Sequence, residues 1–340
     1  MEHPTLTRQS GGKEKMSASK EVVLISDEIF PGTLEDGIDE ERRRIAIAAA
    51  LTGELFMPFL SAVNAGLGTT TSSVVASLKE GAIDEKRIVT PAEYLRSRWN
   101  SQASFWSVFE SVRTYAATMQ TLLQFLQSNE QGSRMNVLSL GSGPGIYETF
   151  LAEAAALLWP SCQFKIRCID YAEKMIEFQQ QLLRRLKRQR ATTASVSCAV
   201  DDMLTLQTVR DGCIDYVICN NALQWVTLNW RPALHSIVRV LRPNGPRLVY
   251  LIVHPTPMVL RDQHGNGIMQ MNDCMPATLI EALEELGFGI LRIRQMVGPP
   301  GTGQLGASLA RLAIVAQYQP ASPIPRWGTV EVTSMEFFLD

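Results

Sequence analysis

The stretch NVLSLGSGPG, from Asn136 to Gly145, decides the fold of this chain. A short apolar run, typical of a strand buried on both faces, leads into three alternating glycines, and a helical pattern follows through Glu153. The glycines allow a tight turn whose backbone a ligand can approach closely, at the positive end of the next helix. A strand, a glycine turn and a helix in this order predict the nucleotide-binding opening of a doubly wound α/β domain.

From Met135 onward, strand and helix patterns alternate, which is typical of a parallel sheet with right-handed crossovers. Strands are predicted at 135–140, 164–169, 195–200, 214–219, 247–253, 289–297 and 309–318, and helices near 147–158, 172–188, 232–241 and 276–286. No helical pattern separates the last two strands, so we expect them to pair antiparallel. The sequence therefore predicts a doubly wound α/β fold with a seven-stranded, mostly parallel sheet.

The region before the sheet has a different pattern. Residues 1–25 are rich in Ser, Gly, Lys and Glu and are expected to form a mobile leader. Residues 26–130 carry amphipathic helical patterns without a convincing strand, which predicts an N-terminal helical cap. The sheet domain is expected to cover 131–320, followed by a C-terminal tail over 321–340.

Composition excludes several classes of partner. The net charge of −2 argues against general affinity for nucleic acid or anionic membranes. No apolar run is long enough to span a bilayer, and the polar N-terminus lacks a signal-peptide core. The six cysteines form no C-x-x-C pair, which predicts reduced thiols in a cytoplasmic protein and no metal site. The expected partner is a small-molecule substrate, and no pattern in the sequence sets an oligomeric state.

Polar residues follow the predicted strands where a ligand would bind. Asp170 ends the second strand, and an acid there can accept hydrogen bonds from both hydroxyls of a ribose. Asp202 and Met203 follow the third strand, where a carboxylate can accept from an adenine amino group. Asn220 and the segment NALQW follow the fourth strand. Ligands of open α/β sheets bind beyond the carboxyl ends of the strands, so these ends are expected to form one crevice.

With these motifs the chain resembles the class I S-adenosylmethionine (SAM)-dependent methyltransferases over about Met135 to Gln319. The resemblance rests on the LGSGPG loop, the acid Asp170, the Asp-Met pair, the NALQW segment and the LRPNG turn before the fifth strand. NALQW is especially similar to the trans-aconitate-methyltransferase-like branch. The resemblance implies a Rossmann-like methyltransferase fold with SAM as cofactor and a metabolite or natural product as methyl acceptor.

The resemblance also implies roles for individual residues. The glycine loop would lie against the methionine portion of SAM, Asp170 would bind the ribose, and Asp202 with Met203 would bind the adenine. Tyr171 and Met175 would flank the adenosine, and Asn220 would line the pocket near the reacting sulfonium. The cofactor-binding residues implied are Gly141, Gly143, Gly145, Asp170, Tyr171, Met175, Asp202, Met203 and Asn220.

Catalysis needs few groups because SAM already carries its leaving group, so the protein mainly aligns a nucleophile and excludes water. The candidate general base is His254, just past the fifth strand, with Asn220 and Tyr171 as the other candidate catalytic residues. The alternative role for His254 is a loop histidine that bonds the backbone. The cap is expected to supply a lid over the crevice. The candidate lid residues are Arg96, Arg98, Trp99, Phe105, Trp106 and Tyr115. Either arginine can bind a carboxylate of the acceptor.

Three alternatives stay open on the sequence. An NAD-dependent oxidoreductase would share the loop and Asp170, although its usual pattern places the third glycine one position later. A relative of the azetidine-2-carboxylate synthases would keep the SAM site but cyclise SAM and release methylthioadenosine. A non-catalytic binding subunit is the third alternative, and the intact loop and acids argue against it.

Overall fold

The computed structural model describes residues 92–93, 95–101, 134–187, 195–226, 229–254, 259–261, 267–270, 274–297, 311–320 and 334–336. In the sheet region, its helices and strands agree closely with those predicted from the sequence. The strands are β1 (Arg134–Leu140), β2 (Gln163–Asp170), β3 (Ser195–Val200), β4 (Tyr216–Asn220), β5 (Leu248–Val253), β6 (Val259–Arg261), β7 (Gly267–Gln270), β8 (Phe288–Val297), β9 (Arg311–Tyr318) and β10 (Ser334–Glu336). The helices are α1 (Ile146–Leu158), α2 (Glu173–Lys187), α3 (Arg231–Val240) and α4 (Pro276–Glu285), with a 3₁₀ turn at Leu223–Trp225. Residues 95–101 are also helical.

One sheet organises these elements, in the strand order β10-β8-β9-β5-β4-β1-β2-β3. The seven predicted strands lie next to one another, and β9 alone among them runs antiparallel, to both β5 and β8. The predicted fold class and the predicted antiparallel pair are therefore confirmed. The three-residue strand β10, from the segment expected to be a tail, pairs parallel with β8.

Two details differ from the prediction. The fourth strand begins at Tyr216 rather than 214, because Ile214 makes only an isolated bridge to Leu241. The strands β6 and β7, which were not predicted, pair as a separate antiparallel hairpin.

The core has two layers, one on each face of the sheet. In β1, Met135 and Val137 point toward α1, while Leu138 and Leu140 point toward α3 and α4. Every residue of β1 after Arg134 is buried, as a central parallel strand requires. This alternation places Ser139 on the face that α1 covers, which matters for the site described below.

The expected leader and most of the cap lie outside the described residues, as do Phe105, Trp106 and Tyr115. All six cysteines are free thiols, four of them buried. Among the described helices, none has the length and apolar character needed to cross a membrane.

Candidate active site

In the glycine loop between β1 and α1, three glycines adopt the left-handed backbone conformation, which is strained for residues with a Cβ. Gly141, Gly143 and Gly145 have φ of +60°, +56° and +70°. A Cβ on Gly141 would lie 2.4 Å from the Ala222 Cβ, and a Cβ on Gly145 would lie 2.1 Å from the Gln179 Cδ. A Cβ on Gly143 would meet nothing within 4 Å. The backbone therefore packs tightly at both ends of the loop and is open to a ligand at its centre.

Asp170, at the end of β2, fixes the centre of this loop. Its Oδ2 accepts the Gly143 N–H at 2.9 Å, and its Oδ1 accepts the Ala172 N–H at 2.9 Å. Burial raises the pKa of Asp170, although both N–H donors oppose the rise by favouring the ionised form. A carboxylate offers about four lone-pair sites. Each oxygen of Asp170 therefore keeps capacity for a ligand hydroxyl.

The two acids after β3 have different roles. Asp201 is buried and accepts hydrogen bonds from three backbone N–H groups and the Thr208 hydroxyl, so it holds the following loop together. Asp202 is exposed, and its side-chain Oδ1 accepts the Leu204 N–H at 2.9 Å. Asp202 is therefore the acid that can reach a ligand, and Met203 beside it lies close to Gly141.

The helical segment 95–101 crosses the carboxyl edge of the sheet. Trp99 packs on Ala172 and Met175, and its ring meets Trp225 edge-on with centroids 4.9 Å apart. Ala172 and Met175 flank the start of α2, whereas Trp225 follows β4. The segment therefore joins the start of α2 to the turn that follows β4.

Polar contacts fasten the residues before the sheet to the start of α2. The Arg96 guanidinium lies 4.5 Å from the centroid of the Tyr171 ring and 3.7 Å from a Glu173 carboxylate oxygen. Asn100 donates to Glu173 at 2.9 Å, and the Tyr171 hydroxyl donates to the Ala92 carbonyl. Tyr171 thus contacts these residues through both its ring and its hydroxyl, while Arg98 is half-buried on segment 95–101.

Amide side chains lie where β4 and β5 end. Asn220 accepts a hydrogen bond from the Asn221 side chain at 3.0 Å, and the Asn221 N–H donates to the Ile252 carbonyl. Gln224 is 2% exposed, and its Oε1 accepts the His254 N–H at 3.2 Å. This contact fixes the backbone of His254 beside the end of β4. This contact of Gln224 was not predicted, although the NALQW segment that contains the residue carries the family resemblance.

A buried acid lies beneath the glycine loop and was also missed. Glu148, in the first turn of α1, is 3% exposed and accepts the Ser139 hydroxyl at 2.5 Å. Burial raises the pKa of Glu148 to about 7, against the lowering effect of the Ser139 hydrogen bond. A first-turn glutamate is ordinarily a solvated residue that complements the helix dipole, so no pattern in the sequence indicates its burial.

This acid makes folding stability depend on pH. Between pH 4.5 and about 7 the folded protein keeps a proton on Glu148 that the unfolded chain loses, so stability falls as pH rises. Above the pKa of Glu148 in the folded protein, the full cost of ionising this buried carboxyl group lowers the free energy of unfolding by roughly 3 kcal/mol. We expect Glu148→Gln to raise the free energy of urea unfolding at pH 8 by up to that amount, and to have little effect near pH 4.5. The exposed Glu281→Gln is the control, and an equal effect of both substitutions at the two pH values would contradict the account.

Comparison with known proteins agrees with this geometry. Residues 138–249 match the family model described as a methyltransferase domain. No curated protein sequence matches the chain. Among solved structures, a SAM-dependent methyltransferase from Methanosarcina mazei is 17% identical, with a TM-score of 0.46 over 57% of this chain and 96% of that one.

Two further structures have similar values. A putative SAM-dependent methyltransferase from Listeria monocytogenes is 18% identical, with a TM-score of 0.40 over 60% of this chain and 99% of that one. A geranyl diphosphate C-methyltransferase from Streptomyces coelicolor A3(2) is 13% identical, with a TM-score of 0.42 over 60% of this chain and 79% of that one. Likenesses at this level do not assign a substrate. Residues 138–249, which are similar to the methyltransferase-domain family, lie on the Rossmann-like sheet described above.

Proposed function

We propose that this protein transfers a methyl group from SAM to a small-molecule acceptor. The observation that carries the proposal is the set of groups left open at the carboxyl edge of the sheet: the open approach to Gly143, the spare lone pairs of Asp170 and the exposed Asp202. In order along the edge, Gly143 would contact the amino-acid portion of SAM, Asp170 would accept hydrogen bonds from the ribose, and Asp202 would accept one from the adenine. The methyltransferase-domain match over residues 138–249 supports the same reading.

The fit can be judged residue by residue. The ribose hydroxyls would donate to Asp170, whose two oxygens already hold the loop in shape through Gly143 and Ala172. The adenine amino group would donate to Asp202, with Met203 beside it. The methionine portion would lie along the loop toward Asn220.

SAM supplies an electrophilic methyl group: the acceptor's lone pair forms the new bond to the methyl carbon as the C–S bond breaks, and the electron pair stays on sulfur to give S-adenosylhomocysteine (SAH). The protein's task is to hold the acceptor in line with that bond and to keep water out. Where the acceptor is protonated, its proton must leave, and His254 is our candidate for accepting it. The Gln224 contact that fixes the His254 backbone supports a defined position for this residue.

The lid supports a small acceptor. Trp99 joins Met175 on one side of the crevice to Trp225 on the other, which limits the space above the proposed cofactor position. Aromatic rings there also favour a sulfonium by cation–π attraction. A carboxylate-bearing acceptor would find a cationic partner in Arg98, because Arg96 is engaged by Tyr171 and Glu173.

Loss of the lid contact is expected to speed the release of SAM. An aromatic pair contributes about 0.5–1.5 kcal/mol beyond the area it buries, so Trp99→Ala should raise the SAM dissociation rate roughly tenfold. Stopped-flow fluorescence measures this rate. Ser101→Ala is the matched control, since its hydroxyl bonds the Arg98 carbonyl within the same helical turn and no other group in the part of the chain that the structure describes. Equal dissociation rates for the two variants and the unchanged protein would contradict the lid assignment.

Transfer itself is tested with SAM labelled in the methyl group. The protein is incubated with labelled SAM and a panel of small oxygen, nitrogen and carbon nucleophiles, and the products are followed by mass spectrometry. We expect SAH and one labelled acceptor, both absent with the Asp170→Ala variant. Release of methylthioadenosine from SAM alone would instead indicate cyclisation of SAM, and SAM that binds without turnover of any acceptor class would contradict the proposal.

A further inference from the structure

A buried polar cluster lies directly beneath the glycine loop and takes no part in the function proposed above. It consists of Ser139 on β1, Glu148 on α1, Cys168 on β2 and Gln179 on α2, each at most 3% exposed. The Gln179 side chain fills the space beneath Gly145 and approaches Ser142, whose hydroxyl lies 3.4 Å from the Gln179 Oε1. The cluster is therefore built into the underside of the loop.

One polar atom of this cluster, the Glu148 Oε2, is shielded from solvent and has no hydrogen-bond partner among the residues that the structure describes. A buried polar atom without a partner costs about 1–3 kcal/mol, and more where the group is charged. The ionised form of Glu148 is therefore unfavourable unless a positive charge compensates it.

The titratable groups that face Glu148 offer no such compensation. On β2, Asp170 contributes a negative charge that raises the pKa of Glu148, and the Glu148 charge in turn raises the pKa of the Cys168 thiol. The remaining neighbours, Ser139 and Gln179, are neutral. In a low-dielectric interior, a charge bound on the other side of the loop would act strongly on this carboxyl group.

We propose that Glu148 is a cofactor-specificity residue that, when ionised, makes the pocket bind the cationic donor SAM in preference to the neutral thioether SAH. The inference rests on the proposed function, which places the methionine portion against the loop. SAM and SAH share the ammonium, carboxylate, ribose and adenine, and they differ in the sulfonium charge and its methyl group. If the preference for SAM over SAH grows as Glu148 loses its proton, the ionised carboxylate favours binding of the donor SAM and release of the product SAH.

Thermodynamic linkage gives the sign and the size of the effect. If the sulfonium charge favours the ionised carboxylate, SAM binding lowers the pKa of Glu148 and releases a proton. Because the pKa of Glu148 without ligand is about 7, the ratio of SAM affinity to SAH affinity should rise roughly fivefold between about pH 5.5 and about pH 7.5. The SAM affinity rises with pH, and the SAH affinity changes less.

Calorimetric titration of SAM and of SAH at these two pH values tests the inference without any acceptor. The sulfonium lowers the pKa of the SAM α-amino group below that of the SAH amine, so the Glu148→Gln variant, which keeps this difference between the ligands, is the reference. Relative to this variant, we expect the rise in ratio for the unchanged protein and for Glu281→Gln. Thermal unfolding of each variant checks that it is folded.

Ser139→Ala provides a second readout that a structural role alone would not give. Because the Ser139 hydrogen bond lowers the pKa of Glu148, its removal should move the midpoint of the affinity change to higher pH. A ratio that is independent of pH in the unchanged protein, or one that rises equally in Glu148→Gln, would overturn the inference while leaving SAM binding intact. No SAM binding at either pH would overturn the proposed function as well.

Discussion

Replacement of Gly145 with alanine is expected to lower the free energy of unfolding by about 2–5 kcal/mol and to abolish measurable SAM binding. The new Cβ would lie 2.1 Å from the Gln179 Cδ, so the fully buried Gln179 side chain would have to shift. The φ of +70° adds a cost of about 1–2 kcal/mol for any residue with a Cβ. Urea unfolding measures the stability, and calorimetry measures the binding.

Gly143→Ala is the matched control. Its φ of +56° imposes the same backbone cost, but the space around its Cβ is open. We expect a loss of only about 1–2 kcal/mol in stability, together with weaker SAM binding because the methyl group would project toward the ligand. Equal stability losses in the two variants would contradict the packing of Gln179 beneath the loop.

The second large effect is expected at Asp170. Asp170→Ala removes the acceptor of two backbone N–H groups, at Gly143 and Ala172, along with the proposed ribose contact. Hydrogen bonds to a charged group contribute about 1.5–3 kcal/mol each, so we expect the dissociation constant for SAM to rise at least roughly a hundredfold. Calorimetry with purified protein measures this change.

Asp170→Asn separates the two roles of this residue. The asparagine has nearly the same shape and retains one acceptor oxygen, so the loop can stay in place while half of the acceptor capacity is lost. We expect an affinity between those of the unchanged protein and Asp170→Ala. An unchanged SAM affinity in Asp170→Ala would remove Asp170 from the site.

The main framework of this fold could be predicted because its signals are local. The apolar run at β1 and the glycines after it fix a strand and a turn without reference to the rest of the chain. Alternating strands and helices then determine the layers, and the absence of a helix before β9 indicated its antiparallel pairing. Asp170 and Asp202 could be predicted because they follow strands whose carboxyl ends meet at one edge.

What the sequence did not reveal depends on contacts between distant segments. The burial of Glu148 follows from how α1 packs on β1, and the Gln224–His254 bond joins residues brought together by the pairing of β4 with β5. The strands β6, β7 and β10 are three or four residues long, too short for a clear pattern. The attachment of the lid through Tyr171 was likewise invisible, because an aromatic residue after a strand does not indicate which ring face or hydroxyl is occupied.

The most direct test of a SAM pocket at this sheet edge is a crystal structure of the full chain with bound SAH. We predict that the ribose hydroxyls bind Asp170, that the adenine lies between Asp202 and Met175, and that the sulfur lies beyond the glycine loop near Asn220. Density for SAH elsewhere in the molecule, or a ribose that does not contact Asp170, would contradict the account.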